Sequence, residues 1–262
     1  MYQTIDFSIE KGVAKLVLNR PDSLNSFNLE MHREVREVLK SLQSNEEVRC
    51  LLITGNGRGF CAGQDLNDRA VSPDQEMPDL GDSLEKYYNP LIRTLRSLEF
   101  PVICAVNGVA AGAGVNIALA CDIVLAACSA SFIQSFCKIG LVPDSGGTWS
   151  LPRLVGEARA KGLAMLGEKL SAEDAERWGM IWRCLDDQDL QDEALKLAVH
   201  LASQPTRGLA YIKRAIHASS GQTLNDHLEM ERDLQRLGGR TEDYREGVNA
   251  FINKRPPVFQ GK

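Results

Sequence analysis

A run of 22 residues without a charged side chain, Phe100–Cys121, is the feature that most constrains the fold. An apolar stretch of this length is long enough to span a lipid bilayer. However, polar residues and glycines interrupt it at 107–108, 112–114 and Asn116, and its first part, Val102–Val106, is a short apolar run typical of a strand. We therefore predict a buried strand followed by a buried helix, and no membrane partner.

The charge balance argues against nucleic acid as the main partner. The 262 residues contain 30 Lys and Arg against 35 Asp and Glu, a net charge of −5, and the two signs are interspersed. Proteins that bind nucleic acid usually present a basic face. With 44% hydrophobic and 25% charged residues the composition is that of a globular chain of one large or two small domains.

The cysteines and the N-terminal residues predict a cytoplasmic protein. There are seven cysteines, an odd number without a CxxC pair, and most lie within apolar stretches. This favours buried free thiols in a reducing compartment over a disulfide framework. The first dozen residues have neither the basic nor the apolar region of a signal peptide.

Strands and helices alternate up to about residue 150, and the rest of the chain reads as mostly helical, so the fold class is α/β. Alternation predicts a hairpin over 2–18, and Asn28 is a candidate N-cap for a helix to Leu42. The further predicted elements are strands at 48–54, 101–106 and 123–126 and helices at 82–98, 113–119, 224–237 and 242–253.

Two glycine-rich turns are candidates for binding a negatively charged oxygen. They are the segments Gly57–Leu66 and Asn107–Gly114, and each is predicted to follow a strand. Small residues let backbone N–H groups point at a ligand, and two such turns together could form an oxyanion hole. Close packing of a strand on a helix is the alternative explanation, and the residues alone do not decide between the two.

Asp144 is the candidate general base. It lies between Pro143 and small residues, with apolar residues on either side, and only Asp122 is acidic between Pro101 and Pro143. Burial in an apolar pocket would raise the pKa of such a carboxylate, as a general base requires. Asp122 reads as structural. The four histidines read as surface residues, and no metal-binding, P-loop or GxSxG motif occurs.

At these segments the chain resembles the crotonase (enoyl-CoA hydratase/isomerase) superfamily. The resemblance covers essentially the whole length, and it is the order and spacing of several motifs that make it specific. These motifs are Leu18–Pro21 with Leu24-Asn25, Phe60–Leu66, Pro101–Gly108, Gly146–Thr148, and Glu246–Val248 leading to Phe251 and Lys254.

The resemblance implies a crotonase-like spiral of ββα units over residues 1–200, containing a CoA site. It implies a C-terminal helical region over 201–262 that packs on the core and on neighbouring subunits in a homotrimer or a dimer of trimers. No cofactor is expected, since coenzyme A is part of the substrate. The segment 70–82 could be a lid over that substrate or an ordinary surface loop.

The resemblance also implies the roles of individual residues. The N–H groups of Gln64 and Ala113 would form the oxyanion hole for a thioester oxygen, and Asp144 would be the catalytic residue. Asp65 could contact the substrate or serve the structure. The residues implied at the CoA are Ser23, Leu24, Ala62, Gln64, Asp65, Leu66, Phe251 and Lys254, and those at the acyl group are Phe136, Ile139 and Trp149.

Two departures favour an isomerase over a hydratase. The positions that match the two glutamates of the hydratases are Asn116 and Phe136, whereas an acid is kept at Asp144, as in the isomerases. The closest resemblance is to the branch that rearranges ring-1,2-epoxyphenylacetyl-CoA to oxepin-CoA in phenylacetate catabolism. A Δ3,Δ2-enoyl-CoA isomerase, an enoyl-CoA hydratase and a non-catalytic acyl-CoA-binding protein remain alternatives.

Overall fold

The computed structural model describes residues 2–69 and 79–262, so most of the segment 70–82 lies outside the described residues. The strands are β1 (Ile5–Glu10), β2 (Val13–Leu18), β3 (Cys50–Gly55), β4 (Gly59–Cys61), β5 (Val102–Val106), β6 (Val109–Ala111), β7 (Ile123–Ala127), β8 (Ser131–Ile133), β9 (Lys169–Ser171) and β10 (Arg183–Leu185).

The helices are α1 (Leu29–Leu42), α2 (Leu80–Ser83), α3 (Asn89–Ser97), α4 (Ala113–Leu119), α5 (Gly147–Val155), α6 (Glu157–Leu166), α7 (Ala172–Arg177), α8 (Leu190–Ala202), α9 (Thr206–Ser219), α10 (Leu224–Gly238) and α11 (Glu242–Ile252). Short 3₁₀ turns cover Pro21–Ser23, Leu66–Arg69 and Ser135–Ile139, and a π-helical turn covers Leu84–Tyr88.

Two sheets organise the molecule. The larger has the order β1-β2-β3-β5-β7-β10 and is parallel except for the β1–β2 hairpin, and the smaller has the order β4-β6-β8-β9. Three successive strand pairs, β3/β4, β5/β6 and β7/β8, each send the first strand to the larger sheet and the second to the smaller. Helices follow each pair, which confirms the α/β class and the spiral of ββα units.

Local sequence signals account for the first elements. Lys11 and Gly12 join β1 to β2 with φ angles of 52° and 76°, the backbone of a two-residue hairpin turn. The side chain of Asn28 accepts a hydrogen bond from the N–H of Met31 and so caps α1. The predicted hairpin and first helix are therefore confirmed.

The uncharged run forms β5, β6 and α4. Every residue of β5 and of α4 is buried, which confirms the predicted strand and helix. Among the described residues no helix is both long enough and apolar enough to cross a membrane. The run is apolar because it lies at the centre of the core.

The predicted helix over 82–98 is interrupted by the π-helical turn Leu84–Tyr88. Pro90 has no N–H to donate to the carbonyl of Lys86, and its ring crowds that carbonyl. The guanidinium group of Arg36 donates to the Lys86 carbonyl instead. Local periodicity could not predict this turn, because the contact that satisfies the carbonyl comes from α1.

The chain beyond residue 150 is mostly helical, as predicted, and it also contains β9 and β10, each of only three residues, which is too short for a period-two pattern to show. One prediction about the histidines was wrong. His32 is buried instead of lying on the surface, with its ring packed against Phe27, Tyr87 and Tyr88.

A group of charged residues joins α9 to the larger sheet. Asp122 accepts hydrogen bonds from the N–H of Val102 at 2.8 Å and from the ammonium group of Lys213 at 2.9 Å, which shows its structural role. Burial raises the pKa of Asp122, although the charge of Lys213 opposes this. Burial, together with the charges of Arg96 and Lys213, lowers the pKa of His217 to about 4.

We predict that His217 makes the protein less stable as the pH falls. In the unfolded chain the imidazole binds a proton near pH 6.5, whereas in the folded protein it stays neutral to about pH 4. The folded state should therefore lose on the order of 2–3 kcal/mol between pH 6.5 and 4. His217→Gln should reduce this loss in urea unfolding at pH 7, 5.5 and 4.5.

His200→Gln, at an exposed position of α8, is the control and should leave the pH dependence unchanged. Asp122 lies 3.9 Å from the imidazole and would favour its protonation. If the His217→Gln protein and the wild type lose the same stability between pH 7 and 4.5, the attraction of Asp122 cancels the effect and the prediction is wrong.

Candidate active site

The two glycine-rich turns meet backbone to backbone. Gly63 has a φ of 87°, and a Cβ atom on it would lie 3.0 Å from the carbonyl oxygen of Ala111 and 3.2 Å from the nitrogen of Ala113. A Cβ atom on Gly114 would lie only 2.2 Å from the carbonyl oxygen of Cys61. Glycine is required at both positions because any side chain would push the two turns apart.

Each turn follows a strand of the larger sheet, β3 or β5, as predicted, and each also contains a short strand of the smaller sheet. Strand β4 is part of the segment 57–66 and strand β6 is part of the segment 107–114, and the two pair in parallel. The glycine-rich segments are thus the small second strands of two successive ββα units together with the residues that follow them. This pairing is what brings the residues after β4 next to the residues after β6.

The two proposed oxyanion donors lie in this contact. Ala113 is the first residue of α4, where an N–H has no acceptor within the helix, and no other acceptor for it occurs among the described residues. Gln64 forms a bridge with Phe27, whose N–H and carbonyl bind the carbonyl of Gly63 and the N–H of Asp65. The hydroxyl of Tyr88 donates to Oε1 of Gln64 at 3.0 Å.

Ser23 and Leu24, which the resemblance implies at the CoA, belong to a segment that lies along β4. The carbonyl of Leu24 accepts from the N–H of Ala62 at 2.9 Å. The Asn25 amide group donates to the carbonyls of Asn56 and Gly59 at 2.9 and 2.8 Å. Ser23 and Leu24 are therefore next to Ala62, as a shared binding surface would need.

Asp65 has a structural partner. Its carboxylate lies 2.9 Å from the guanidinium group of Arg20 and accepts from the N–H and the side-chain amide of Asn67. Burial alone would raise the pKa of Asp65, but these hydrogen bonds and the charge of Arg20 outweigh it and lower the pKa. The ion pair ties the segment before α1 to the residues after β4.

Asp144 lies in the turn that leads into α5. Its carbonyl accepts from the N–H of Gly147 at 2.8 Å and from the side-chain amide of Asn116 at 2.8 Å. Ser145, which has a φ of 52°, donates its hydroxyl to Oδ1 of Asp144 at 2.9 Å. A non-glycine residue in the left-handed region is strained, and such strain is common at functional sites.

Asn116 connects this turn to the rest of the site. It is one helical turn after Ala113 in α4, and its side-chain oxygen Oδ1 accepts a hydrogen bond from Nε2 of Gln134 at 2.8 Å. A Cβ atom on Gly147 would lie 2.4 Å from Nδ2 of Asn116, so the amide packs directly on the start of α5. Asn116 thus fixes the Asp144 backbone relative to the predicted oxyanion donor Ala113.

Neither Asn116 nor Phe136, the positions expected to match the glutamates of hydratases, holds an ionisable group. Asn116 binds backbone, and the ring of Phe136 lies within 4 Å of the point where a Cβ atom on Gly112 would be. Cys61, beside Gly63, has its pKa raised to about 12 by burial, so it is no nucleophile at neutral pH. Among the described residues no cluster of metal-ligand side chains occurs.

The other predicted residues lie at the surface of the chain. Ile139 is exposed at the end of a 3₁₀ turn, and the ring of Trp149 makes cation–π contacts with the guanidinium groups of Arg96 and Arg153, which lie 4.7 and 4.1 Å from its centre. Their place in an acyl pocket stays a prediction. The predicted CoA residues Leu66, Phe251 and Lys254 are also exposed.

Comparison with known proteins decides the family. The model of the family described as enoyl-CoA hydratase/isomerase matches residues 8–262. The chain belongs to the enoyl-CoA hydratase/isomerase family. The 1,2-epoxyphenylacetyl-CoA isomerase of Escherichia coli K12 is 60% identical over 262 residues, covering the whole of both chains.

More distant family members have the same length. The trans-2-decenoyl-[acyl-carrier-protein] isomerase of Streptococcus mutans is 34% identical over 263 residues, covering 100% of this chain and 99% of that protein. The crystal structure of an enoyl-CoA hydratase from Bacillus anthracis superposes with a TM-score of 0.91 at 31% identity, covering 99% and 100% of the two chains. The spiral fold is therefore that of this enzyme family.

Three residues of this family member were missed by the sequence reasoning as parts of the site. Tyr88 and Ser145 carry no signal, because a tyrosine within a helical pattern and a serine after an aspartate are both ordinary. Asn116 was identified only as a missing glutamate. Its side-chain amide donates to the carbonyl of Asp144 and accepts from the side chain of Gln134, and only the three-dimensional structure reveals these two hydrogen bonds.

We predict that Asn116→Asp slows catalysis more than it weakens substrate binding. A carboxylate oxygen would replace the donor that now lies 2.8 Å from the Asp144 carbonyl and would repel it. Losing a buried hydrogen bond costs about 1–3 kcal/mol, so we expect roughly a tenfold lower kcat with a nearly constant KM. Steady-state kinetics on an acyl-CoA substrate measures both.

Thr54→Val is the matched control. It removes another buried hydrogen bond, from the Thr54 hydroxyl to the carbonyl of Ala105 at 2.8 Å, within the larger sheet. The Tm of the Thr54→Val protein should fall about as much as that of the Asn116→Asp protein, while the kcat of Thr54→Val stays at the wild-type value. If kcat falls equally in both variants, Asn116 serves stability alone and the prediction is wrong.

Proposed function

We propose that this protein is an acyl-CoA isomerase that converts ring-1,2-epoxyphenylacetyl-CoA to oxepin-CoA. The observation that carries the proposal is the 60% identity, over the full length of both chains, with the isomerase of Escherichia coli that is named for this substrate. The site supports it as well, because Asp144 is the acid in the position that the isomerases use.

In the proposed reaction the thioester oxygen binds between the N–H groups of Gln64 and Ala113. The carbon next to the thioester then becomes more acidic, since the negative charge of the enolate would develop on the bound oxygen. The carboxylate of Asp144 removes a proton from that carbon and returns it to a ring carbon as the epoxide opens. Atoms balance without a second reactant, as in any isomerisation.

The hydrogen bond from Ser145 to Asp144 would support this role. The hydroxyl of Ser145 donates to Oδ1 of the carboxylate at 2.9 Å, which restricts the orientation of the Asp144 side chain. Addition of water would need a second acid–base group, and Asn116 and Phe136 supply none. No cofactor is required, because coenzyme A arrives with the substrate.

The CoA is proposed to lie along the surface formed by Ser23, Leu24, Ala62, Asp65 and Leu66. The first four belong to segments joined by backbone hydrogen bonds and by the Arg20–Asp65 ion pair. Phe251 and Lys254 follow at the far end of α11. They would reach the CoA of a neighbouring subunit in a trimer, so the assembly is part of the proposal.

We predict that the protein is a trimer or a dimer of trimers. The C-terminal helices expose large apolar side chains, which usually mark a protein contact. These side chains are Ile212, Ile216, Leu224, Leu228, Phe251 and Ile252. Light scattering on a gel-filtration peak should give three or six times 28.9 kDa. A single-chain mass at micromolar concentration would contradict the prediction.

A second candidate activity is the movement of a double bond in a linear enoyl thioester. The similarity to the trans-2-decenoyl-[acyl-carrier-protein] isomerase of Streptococcus mutans favours it. The same base and oxyanion hole would suffice, since a proton is removed from one carbon and returned to another. A Δ3,Δ2-enoyl-CoA isomerase activity could therefore share the site with the epoxide reaction.

The deciding experiment is a coupled assay with the wild type and Asp144→Asn. An oxygenase in the assay mixture converts phenylacetyl-CoA to the epoxide substrate, and the formation of oxepin-CoA is followed by chromatography. Asparagine keeps the shape of the side chain but removes the base, so we expect turnover to fall by roughly 10²–10⁴-fold, the contribution typical of a positioned general base. Binding of the substrate should change little.

Each result has a distinct meaning. Oxepin-CoA from the wild type but not from Asp144→Asn supports both the substrate and the base. A wild type that only moves the double bond of 3-enoyl-CoA overturns the substrate and keeps the base. A wild type that only hydrates crotonyl-CoA overturns the isomerase. If none of these reactions occurs, a non-catalytic acyl-CoA-binding protein becomes the better description.

A further inference from the structure

Two cysteines lie side by side at an edge of the larger sheet. Neither belongs to the candidate active site. Cys184 is the central residue of the edge strand β10 and pairs with Ala126 of β7. Cys128 directly follows β7, two residues beyond Ala126, and its N–H donates to the carbonyl of Leu185. Residues two apart on a strand point to the same face, so both thiols lie on one side of the sheet.

The two sulfur atoms are only 2.7 Å apart. This is much closer to a covalent S–S bond of about 2.04 Å than to an ordinary contact between two thiols. Both residues are partly exposed, whereas Cys50, Cys61, Cys104 and Cys121 are buried. A small reagent can therefore reach this pair from solvent, and the partner thiol is already within reach.

We propose that Cys128 and Cys184 form a thiol–disulfide site that takes small disulfides as its oxidant. One thiolate attacks the reagent R–S–S–R and forms a mixed disulfide, releasing one R–SH. The second thiolate then attacks the protein sulfur, forms the Cys128–Cys184 bond and releases the second R–SH. The two cysteines are oxidised by two electrons, the reagent is reduced by two electrons, and both protons end on the R–SH products.

The surroundings of the pair predict which reagents react fastest. Burial raises the pKa of Cys184 to about 12, and the Cys128 thiol and the carboxylates of Glu173 and Glu176 contribute. Glu176 also accepts a hydrogen bond from the N–H of Cys184. Because the thiolate is the nucleophile, reaction should be slow at pH 7 and faster at pH 9. A cationic disulfide should react with the cysteines faster than an anionic one, because the carboxylates of Glu173 and Glu176 attract the cation and repel the anion.

A bond at this place would strengthen a weakly held element. β10 pairs with β7 over only three residues, and it has no neighbour on its other side in the larger sheet. The bond would join positions 56 residues apart in the sequence. Closing a loop of that length restricts the unfolded chain, so the oxidised protein should have a Tm roughly 5–10 °C higher than the reduced one.

The test uses the purified full chain with cystamine, which is cationic, and with glutathione disulfide, which is anionic. The expected product has lost two hydrogen atoms, and a peptide map joins the Cys128 peptide to the Cys184 peptide. We expect cystamine to react at least tenfold faster than glutathione disulfide at equal concentration, and both to react faster at pH 9 than at pH 7. The rise in Tm should disappear on reduction.

Single variants give the controls. Cys128→Ser and Cys184→Ser should each stop at a mixed disulfide and show no rise in Tm. Cys137→Ser removes another partly exposed thiol and should form the bond like the wild type. The proposal is wrong if the wild type stays at the mixed disulfide, if the map joins other cysteines, or if all seven thiols remain free at pH 9.

Discussion

The rest of the structure depends on a close backbone contact. In this contact the residues that follow β4 pack directly against the residues that follow β6. A side chain at Gly63 or Gly114 would meet backbone atoms at 3.0 and 2.2 Å. Because backbone cannot move aside as a flexible side chain can, the two segments approach only when both positions are glycine. The proposed oxyanion donors lie within this contact, so the same packing that closes the spiral also sets their spacing.

Polar side chains hold the segments around this contact, and most of them bind backbone. Asn25 binds the carbonyl of Gly59, Asn116 binds that of Asp144, and Arg20 pairs with Asp65. Buried carbonyls and carboxylates need partners, so each interaction removes a desolvation cost while it fixes one segment against another. The geometry of the proposed site therefore depends on residues that take no part in the proposed proton transfer.

The site has a simple chemical character. The proposed base, Asp144, lies in the turn before α5, and the two positions expected to match the glutamates of hydratases hold an amide and a phenyl ring. The proposed site would suit the removal and return of one proton beside a stabilised oxyanion, because neither Asn116 nor Phe136 can act as a second acid–base group. The charged cluster of Asp122, Lys213 and His217 is separate from this chemistry and joins α9 to the sheet.

The sequence by itself determined the α/β class, the hairpin, α1 and the buried strand and helix of the uncharged run, because these follow from local periodicity and capping. It also made Asp144 the candidate base, since few acids occur nearby, and that role stays a prediction. Only the tertiary structure decided that the turns meet, that Pro90 is accommodated by a π-helical turn, and that Asn116 binds the backbone of Asp144. The physical reason is that each of these depends on contacts between residues far apart in the chain, whose partners no local pattern specifies.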